Sequence, residues 1–218
     1  MDTLAKMPRN ARAIEAGLIY HVLNRGNGRM RLFHKPEDYA AFERVLAEGL
    51  ARYPSDLLTY CIMPNHWHLV ARPLDAVALG RWLGWVGVTH VRRHHEHYHR
   101  RGGGHWYQSH YKSFPVQSDK HFLALCRYVE ANPRNAQLDE RAKHWQWRGG
   151  ARRLRLARCP TDWIKRVNRS LPRATLEELW ESVQRGRPRG DPAWISHTAN
   201  RLYLGFTLRG PGRPPKQS

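Results

Sequence analysis

The stretch Met63-Pro64-Asn65-His66-Trp67-His68-Leu69-Val70 decides how this chain is read. Pro64-Asn65 is a turn signal, and Trp67-His68-Leu69-Val70 reads as a buried strand. Side chains two apart on a strand share a face, with Cα atoms ~6.6 Å apart. His66 and His68 can therefore aim two imidazoles at one metal ion, while Trp67 and Leu69 anchor the opposite face in a core. A lone His-x-His also suits one solvated and one hydrogen-bonded histidine. Here the pair has a chemical partner further along the chain.

Working outward, Leu57 to Met63 and His66 to Ala71 read as a hairpin closed at Pro64-Asn65. Leu18 to Leu23 has β character and ends at a Gly/Asn turn, Arg25-Gly26-Asn27-Gly28-Arg29. Pro36-Glu37-Asp38 suits a helix start, with acids in the first turn. Tyr39, Phe42, Val45, Leu46 and Leu50 then recur at helical spacing up to Pro54. Residues 76–99 read as a long helix with Leu79, Trp82, Leu83 and Val86 on its apolar face. Trp106 to Val116 reads as extended. A helix capped by Ser118 runs through Phe122, Leu125, Cys126 and Val129, and Pro133 is expected to stop it. This order predicts an α+β fold with a central antiparallel sheet flanked by helices.

The chain of 218 residues is long enough for one domain of moderate size and an appendage. Its formal net charge is +19, unevenly spread. Residues 1–140 carry 19 Lys and Arg against 13 Asp and Glu, and residues 141–218 carry 18 against 5. Such an excess points to a polyanion, nucleic acid before membrane. Residues 1–17 read as a basic strap, without the apolar core of a secretory signal. Residues 18–140 read as the main domain and 141–218 as a basic, mostly helical C-terminal extension, with short helices at 175–184 and 192–203. Cys61, Cys126 and Cys159 form no disulfide framework, which fits a reducing cytoplasm. No apolar run reaches 18 residues, so no membrane span is expected.

Tyr128 and Asn132 stand four apart in Arg127-Tyr128-Val129-Glu130-Ala131-Asn132-Pro133, hence on one helical face. Two imidazoles and an amide oxygen would give a metal three ligands and leave positions for phosphate oxygens and water. Tyrosine can serve as a covalent nucleophile in phosphoryl transfer, although a phenol of pKa ~10 needs help to do so. The bland alternatives are a core tyrosine with a hydrogen-bonded hydroxyl, and an asparagine that caps the helix before Pro133.

These residues resemble a known family. His66-x-His68 after Met63-Pro64-Asn65, Tyr128-x-x-x-Asn132-Pro133, and the opening Tyr20-His21-Val22 to Arg25-Gly26-Asn27 are similar to the single-tyrosine HUH transposases (insertion-sequence-200-like). The nearest branch is the REP-associated tyrosine transposases, bacterial proteins that act on single-stranded palindromic repeats. The resemblance spans residues 18–140 and implies the HUH endonuclease fold. It implies that Tyr128 attacks a single-stranded DNA phosphodiester, leaving a 5′-phosphotyrosine link and a free 3′-OH. It further implies that His66, His68 and Asn132 hold Mg²⁺ or Mn²⁺, and that the substrate is single-stranded or hairpin DNA. Trp106-Tyr107-Gln108 and Tyr111-Lys112-Ser113 match a further family stretch, with His110 where an arginine is common.

Expected DNA contacts are Arg25, Asn27, Arg29 and Arg31 around the first turn, although an ordinary charged loop is the simpler reading. Lys112 is expected to offset charge at the phosphate, or to be a plain surface lysine. Gly186-Arg187-Pro188 and Gly212-Arg213-Pro214 resemble cores that lay arginine into a narrow A·T minor groove; the alternative is a solvated basic tail. The histidines from His90 to His105 are read as a solvated basic face and not as a second metal cluster. The expected protein is thus a cytoplasmic, nucleoid-associated, metal-dependent DNA transposase, monomer or homodimer, with no membrane partner. Its main rival is an inactive hairpin-binding regulator of the same fold, and a metal-dependent ribonuclease is a weaker third.

Overall fold

The computed structural model describes residues 14–99, 104–118, 120–149 and 160–210. Four strands, β1 (Ile19–Arg25), β2 (Ser55–Met63), β3 (His66–Pro73) and β4 (Lys112–Val116), form one antiparallel sheet in the order β2-β3-β1-β4. Helices α1 (Pro36–Arg52) and α2 (Ala78–His97) lie on one face, and α3 (Lys120–Asn135) lies on the other. Pairing of Met63 with His66 makes the expected β2–β3 hairpin.

Strand alternation sorts the side chains between two cores. Tyr20, Val22, Trp67 and Leu69 pack with Phe42, Trp82 and Val86 under α1 and α2. Ile19, Val70, Phe114 and Val116 pack with Leu125, Cys126 and Val129 of α3. His21, His66 and His68 share the parity of Ile19 and Val70, so they fall on the α3 side. Trp67 and Leu69 thus anchor the opposite face, as the sequence led us to expect.

The extension is not an appendage. Trp163 and Val167 of α4 (Trp163–Asn168) and Leu179 of α5 (Arg173–Arg185) complete the α3-side core. The extension also covers both edges of the sheet. Ile62 N–H donates to Trp147 and Gly149 N–H to Tyr60, each at 2.9 Å, along β2. Arg189 exchanges backbone hydrogen bonds with Pro115 and Gln117, at 2.9 and 2.8 Å, along β4. Open strand edges invite pairing with other chains, and these two contacts remove the invitation. A last helix, α6 (Pro192–Arg201), reaches back to the N-terminal segment through an Arg201–Glu15 ion pair at 2.9 Å.

Three local expectations need correction. Pro133 does not stop α3, which runs on to Asn135. A proline lacks the N–H that would bond Val129 O; the Asn132 amide donates to that carbonyl at 3.4 Å and to Tyr128 O at 2.9 Å. Only Lys112–Val116 of the expected 106–116 stretch is a strand. The histidine-rich end of α2 is not wholly solvated, because His90 and His94 are buried. His90 stacks on Phe33 and meets the Tyr107 hydroxyl at 2.7 Å, while His94 lies against Trp106.

The start of α1 carries a pH-dependent contribution to stability. Asp38 accepts from the N–H groups of His34 and Lys35 at 2.7 and 3.2 Å and from the Tyr98 hydroxyl at 2.9 Å. Burial opposes the charge, but these donors outweigh it and hold the carboxyl below its ordinary value of 3.8. A depressed folded pKa means the contribution is complete above that value and is lost as pH falls through the folded one. Asp38→Asn is expected to flatten the acid limb of the stability–pH curve below about pH 4. An unaltered limb in acid titrations of urea unfolding would contradict this.

Candidate active site

β3 carries His66 and His68 to a pocket of about 500 Å³ between the sheet, α3 and α5. Their ring centroids are 5.0 Å apart and the rings are nearly perpendicular. Each ring has one nitrogen engaged. His66 Nδ1 lies 2.7 Å from Asn65 Oδ1, and the Asn65 amide nitrogen donates to Arg29 O at 3.2 Å, which fixes the amide's orientation. An amide oxygen only accepts, so His66 holds its proton on Nδ1 and keeps a lone pair on Nε2. His68 Nδ1 lies 2.9 Å from Nε2 of His21, a fully buried residue of β1.

The turn that presents these rings is itself clamped. Leu32 and Phe33 N–H donate to Pro64 O, and Gly26 N–H donates to Asn65 O at 2.9 Å. A Cβ on Gly26 would sit 2.4 Å from Met30 O, so this crossing needs a glycine.

Tyr128 of α3 brings its ring to 5.8 Å from His68 and 6.3 Å from His21, edge-on to both. Burial raises its phenol above the ordinary value, opposed by a hydrogen bond from the Trp180 indole and by the Arg25 charge. Burial, with Arg25 nearby, lowers His66 to about 4, and burial takes His68 well below its ordinary value. Both imidazoles are therefore neutral near pH 7, the state in which a ring nitrogen can hold a metal.

Asn132 lines the same pocket. Its amide nitrogen is tied back to the helix carbonyls, which leaves Oδ1 as its remaining acceptor. Among the described residues no three His, Cys, Asp or Glu converge as a metal site. The donors are two neutral imidazole nitrogens and one amide oxygen. Such a set fits a divalent ion that shares its coordination with substrate oxygens and water, and the hydrogen-bonded second nitrogens are the usual support of metal-binding imidazoles.

Arg25, Lys112, Arg127 and Arg169 give the pocket a basic wall. Of the expected DNA contacts, Arg25 and Lys112 are on that wall. Asn27 and Arg29 are exposed on the adjoining turn, and Arg31 is exposed just beyond it, outside the pocket lining. Arg187 lies in a segment folded against the domain and is paired with Glu181 at 2.9 Å. Arg213 lies outside the described residues.

Four residues of the site were not foreseen: His21, buried behind His68, and three that line the pocket. His21 could have been found from parity with Ile19 on β1. Arg127 holds the end of α4 by donating to Arg166 O and Arg169 O at 2.9 and 3.0 Å. Arg169 and the half-exposed Trp180 come from the extension. No local pattern links those two to a site formed by distant strands and α3.

A protein-family model described as IS200-like transposase matches residues 15–132. Among solved structures, the chain is similar to a REP-associated tyrosine transposase bound to a REP hairpin. That match has a TM-score of 0.57 at 14% identity and covers 76% of this chain and 92% of the other. A candidate transposase from Deinococcus radiodurans overlaps at a TM-score of 0.38 and 17% identity, covering 57% and 97%. No curated protein matches the chain. The fold described above is shared with the hairpin-bound structure.

Proposed function

The chain belongs to the IS200-like transposase family, and on that premise we propose that it cleaves and rejoins single-stranded DNA at hairpin repeats, with Tyr128 as nucleophile. The observation that carries this reading is the approach of the Tyr128 ring to within 5.8 Å of His68 inside a pocket walled by four cationic side chains. The solved relative's REP hairpin supports the choice of substrate.

In the proposed reaction the Tyr128 oxygen attacks phosphorus and the bond from phosphorus to the 3′ oxygen breaks. The phenol loses one proton and the departing 3′ oxygen gains one. The product is a 5′-phosphotyrosine ester and a free 3′-OH. A 3′-OH of another strand reverses the step, so rejoining needs no ATP. His66, His68 and Asn132 would hold Mg²⁺ or Mn²⁺, which polarises a phosphate oxygen and steadies the leaving group. Arg25 and Lys112 neutralise flanking phosphates, and Arg25 also favours the phenolate. Arg127 fixes the pocket wall from which Arg169 projects.

The test compares a DNA hairpin carrying a single-stranded foot with the same sequence as closed duplex and as RNA, each with Mg²⁺ or Mn²⁺. Cleavage confined to the first substrate supports the reading. Cleavage of RNA alone would indicate a ribonuclease, and tight hairpin binding without cleavage a regulator. Arg25→Ala and Lys112→Ala should each lower the log–log salt slope of single-strand binding by about 0.7 per lost phosphate contact. An unchanged slope would remove that residue from the DNA path.

A further inference from the structure

We infer that His21 is a positioning residue for the metal site: by accepting a hydrogen bond from His68 Nδ1, it keeps the His68 Nε2 lone pair turned to the pocket. The inference rests on reading His66 and His68 as metal ligands.

Three observations carry it. His21 is wholly buried on β1, its Nε2 lies 2.9 Å from His68 Nδ1, and among the described residues its own Nδ1 has no hydrogen-bond partner. The ring planes are inclined by 16°, and the centroids are 5.1 Å apart, close to the most that a 2.9 Å nitrogen–nitrogen contact allows, so the contact runs head-on and the shared hydrogen lies near both ring planes. Around them are the rings of Phe114 and Tyr128, each edge-on to His21.

Only two neutral arrangements of this pair are possible. If His21 donates, His68 must carry its proton on Nε2, and that nitrogen cannot bind a metal. If His68 donates, its Nε2 is free, and His21 carries its proton on the unpartnered Nδ1. A divalent ion on His68 selects the second arrangement. Packing alone does not explain the residue: an aliphatic side chain between Ile19 and Leu23 would leave no ring nitrogen orphaned. A role in orienting His68 does explain it, as a metal-bound imidazole ordinarily donates its second N–H to a fixed acceptor.

The test is Mn²⁺ binding to the full chain without DNA, followed by calorimetry and electron paramagnetic resonance, with His68→Ala as control. His21→Phe should weaken binding by about 10–100-fold, while thermal unfolding verifies that the variant is folded. His21→Gln, whose amide oxygen can accept from His68, should restore much of that loss. Wild-type affinity in a folded His21→Phe protein would overturn the inference. Wild type and His68→Ala binding alike would instead overturn the metal reading beneath it. Should His21→Phe not fold, ring ¹⁵N shifts of the wild type loaded with diamagnetic Zn²⁺ decide. A proton on His68 Nδ1 is expected, and one on His68 Nε2 would refute the role.

Discussion

Replacing Tyr128 by phenylalanine is expected to abolish strand cleavage and the covalent protein–DNA adduct while leaving hairpin binding essentially intact. The substitution removes one oxygen. Ring packing against His21 and His68 depends on the aromatic edge and is retained. Burial already raises the phenol, so the hydroxyl is not there to carry charge at rest. Losing a nucleophile should cost on the order of 10³-fold or more in rate, whereas the cationic wall of Arg25, Lys112, Arg127 and Arg169 is untouched. Cleavage time courses beside gel-shift titrations check both halves. Residual cleavage within tenfold of wild type would assign the chemistry to another group.

The second large effect concerns stability. Glu130 is wholly buried two residues from Tyr128, on the opposite side of α3. Its carboxylate accepts from Thr59 Oγ at 3.0 Å, Arg148 Nη1 at 2.9 Å and Trp163 Nε1 at 3.2 Å. One side chain thus joins β2, the 147–149 edge segment, α4 and the helix that bears the nucleophile. Glu130→Ala leaves the nearly buried Arg148 guanidinium without its carboxylate, the Ala142 carbonyl still accepting from it, a change that ordinarily costs about 3–5 kcal/mol. In a domain of this size that is a fall in Tm on the order of 10 °C. Glu130→Gln, which can still accept from Thr59 or Trp163, should cost less. Urea unfolding of the three proteins checks the order, and a loss under about 1 kcal/mol for the alanine variant would contradict it.

Much of the fold and half of the site were legible because they depend on short-range periodicity. Parity along β3 put His66 and His68 opposite Trp67 and Leu69, and the four-residue spacing put Tyr128 above Asn132. Both signals survive in the structure because each has an apolar face that cannot be turned to water. What was not legible is long-range. The Gly186-Arg187-Pro188 segment reads locally as a free basic strand, yet the chain through Arg189 runs against β4 by backbone hydrogen bonds and is held to α5 by the Arg187–Glu181 and Arg189–Glu178 pairs. His90 and His94 carry a polar name but lie under Phe33 and Trp106. Pro133 reads as a stop, yet Asn132 supplies a hydrogen bond that the proline cannot. Trp180 and Arg169 reach the pocket only once α4 and α5 have packed on α3.

The most direct measurement maps the covalent link. Wild-type protein is incubated with Mn²⁺ and a hairpin bearing a single-stranded foot, denatured, digested and sequenced by mass spectrometry. The expected result is DNA joined through its 5′ phosphate to the peptide containing Tyr128, with an equal amount of free 3′-OH strand. Cleaved DNA with a free 5′ phosphate and no linked peptide, or a link to any other residue, would contradict the mechanism.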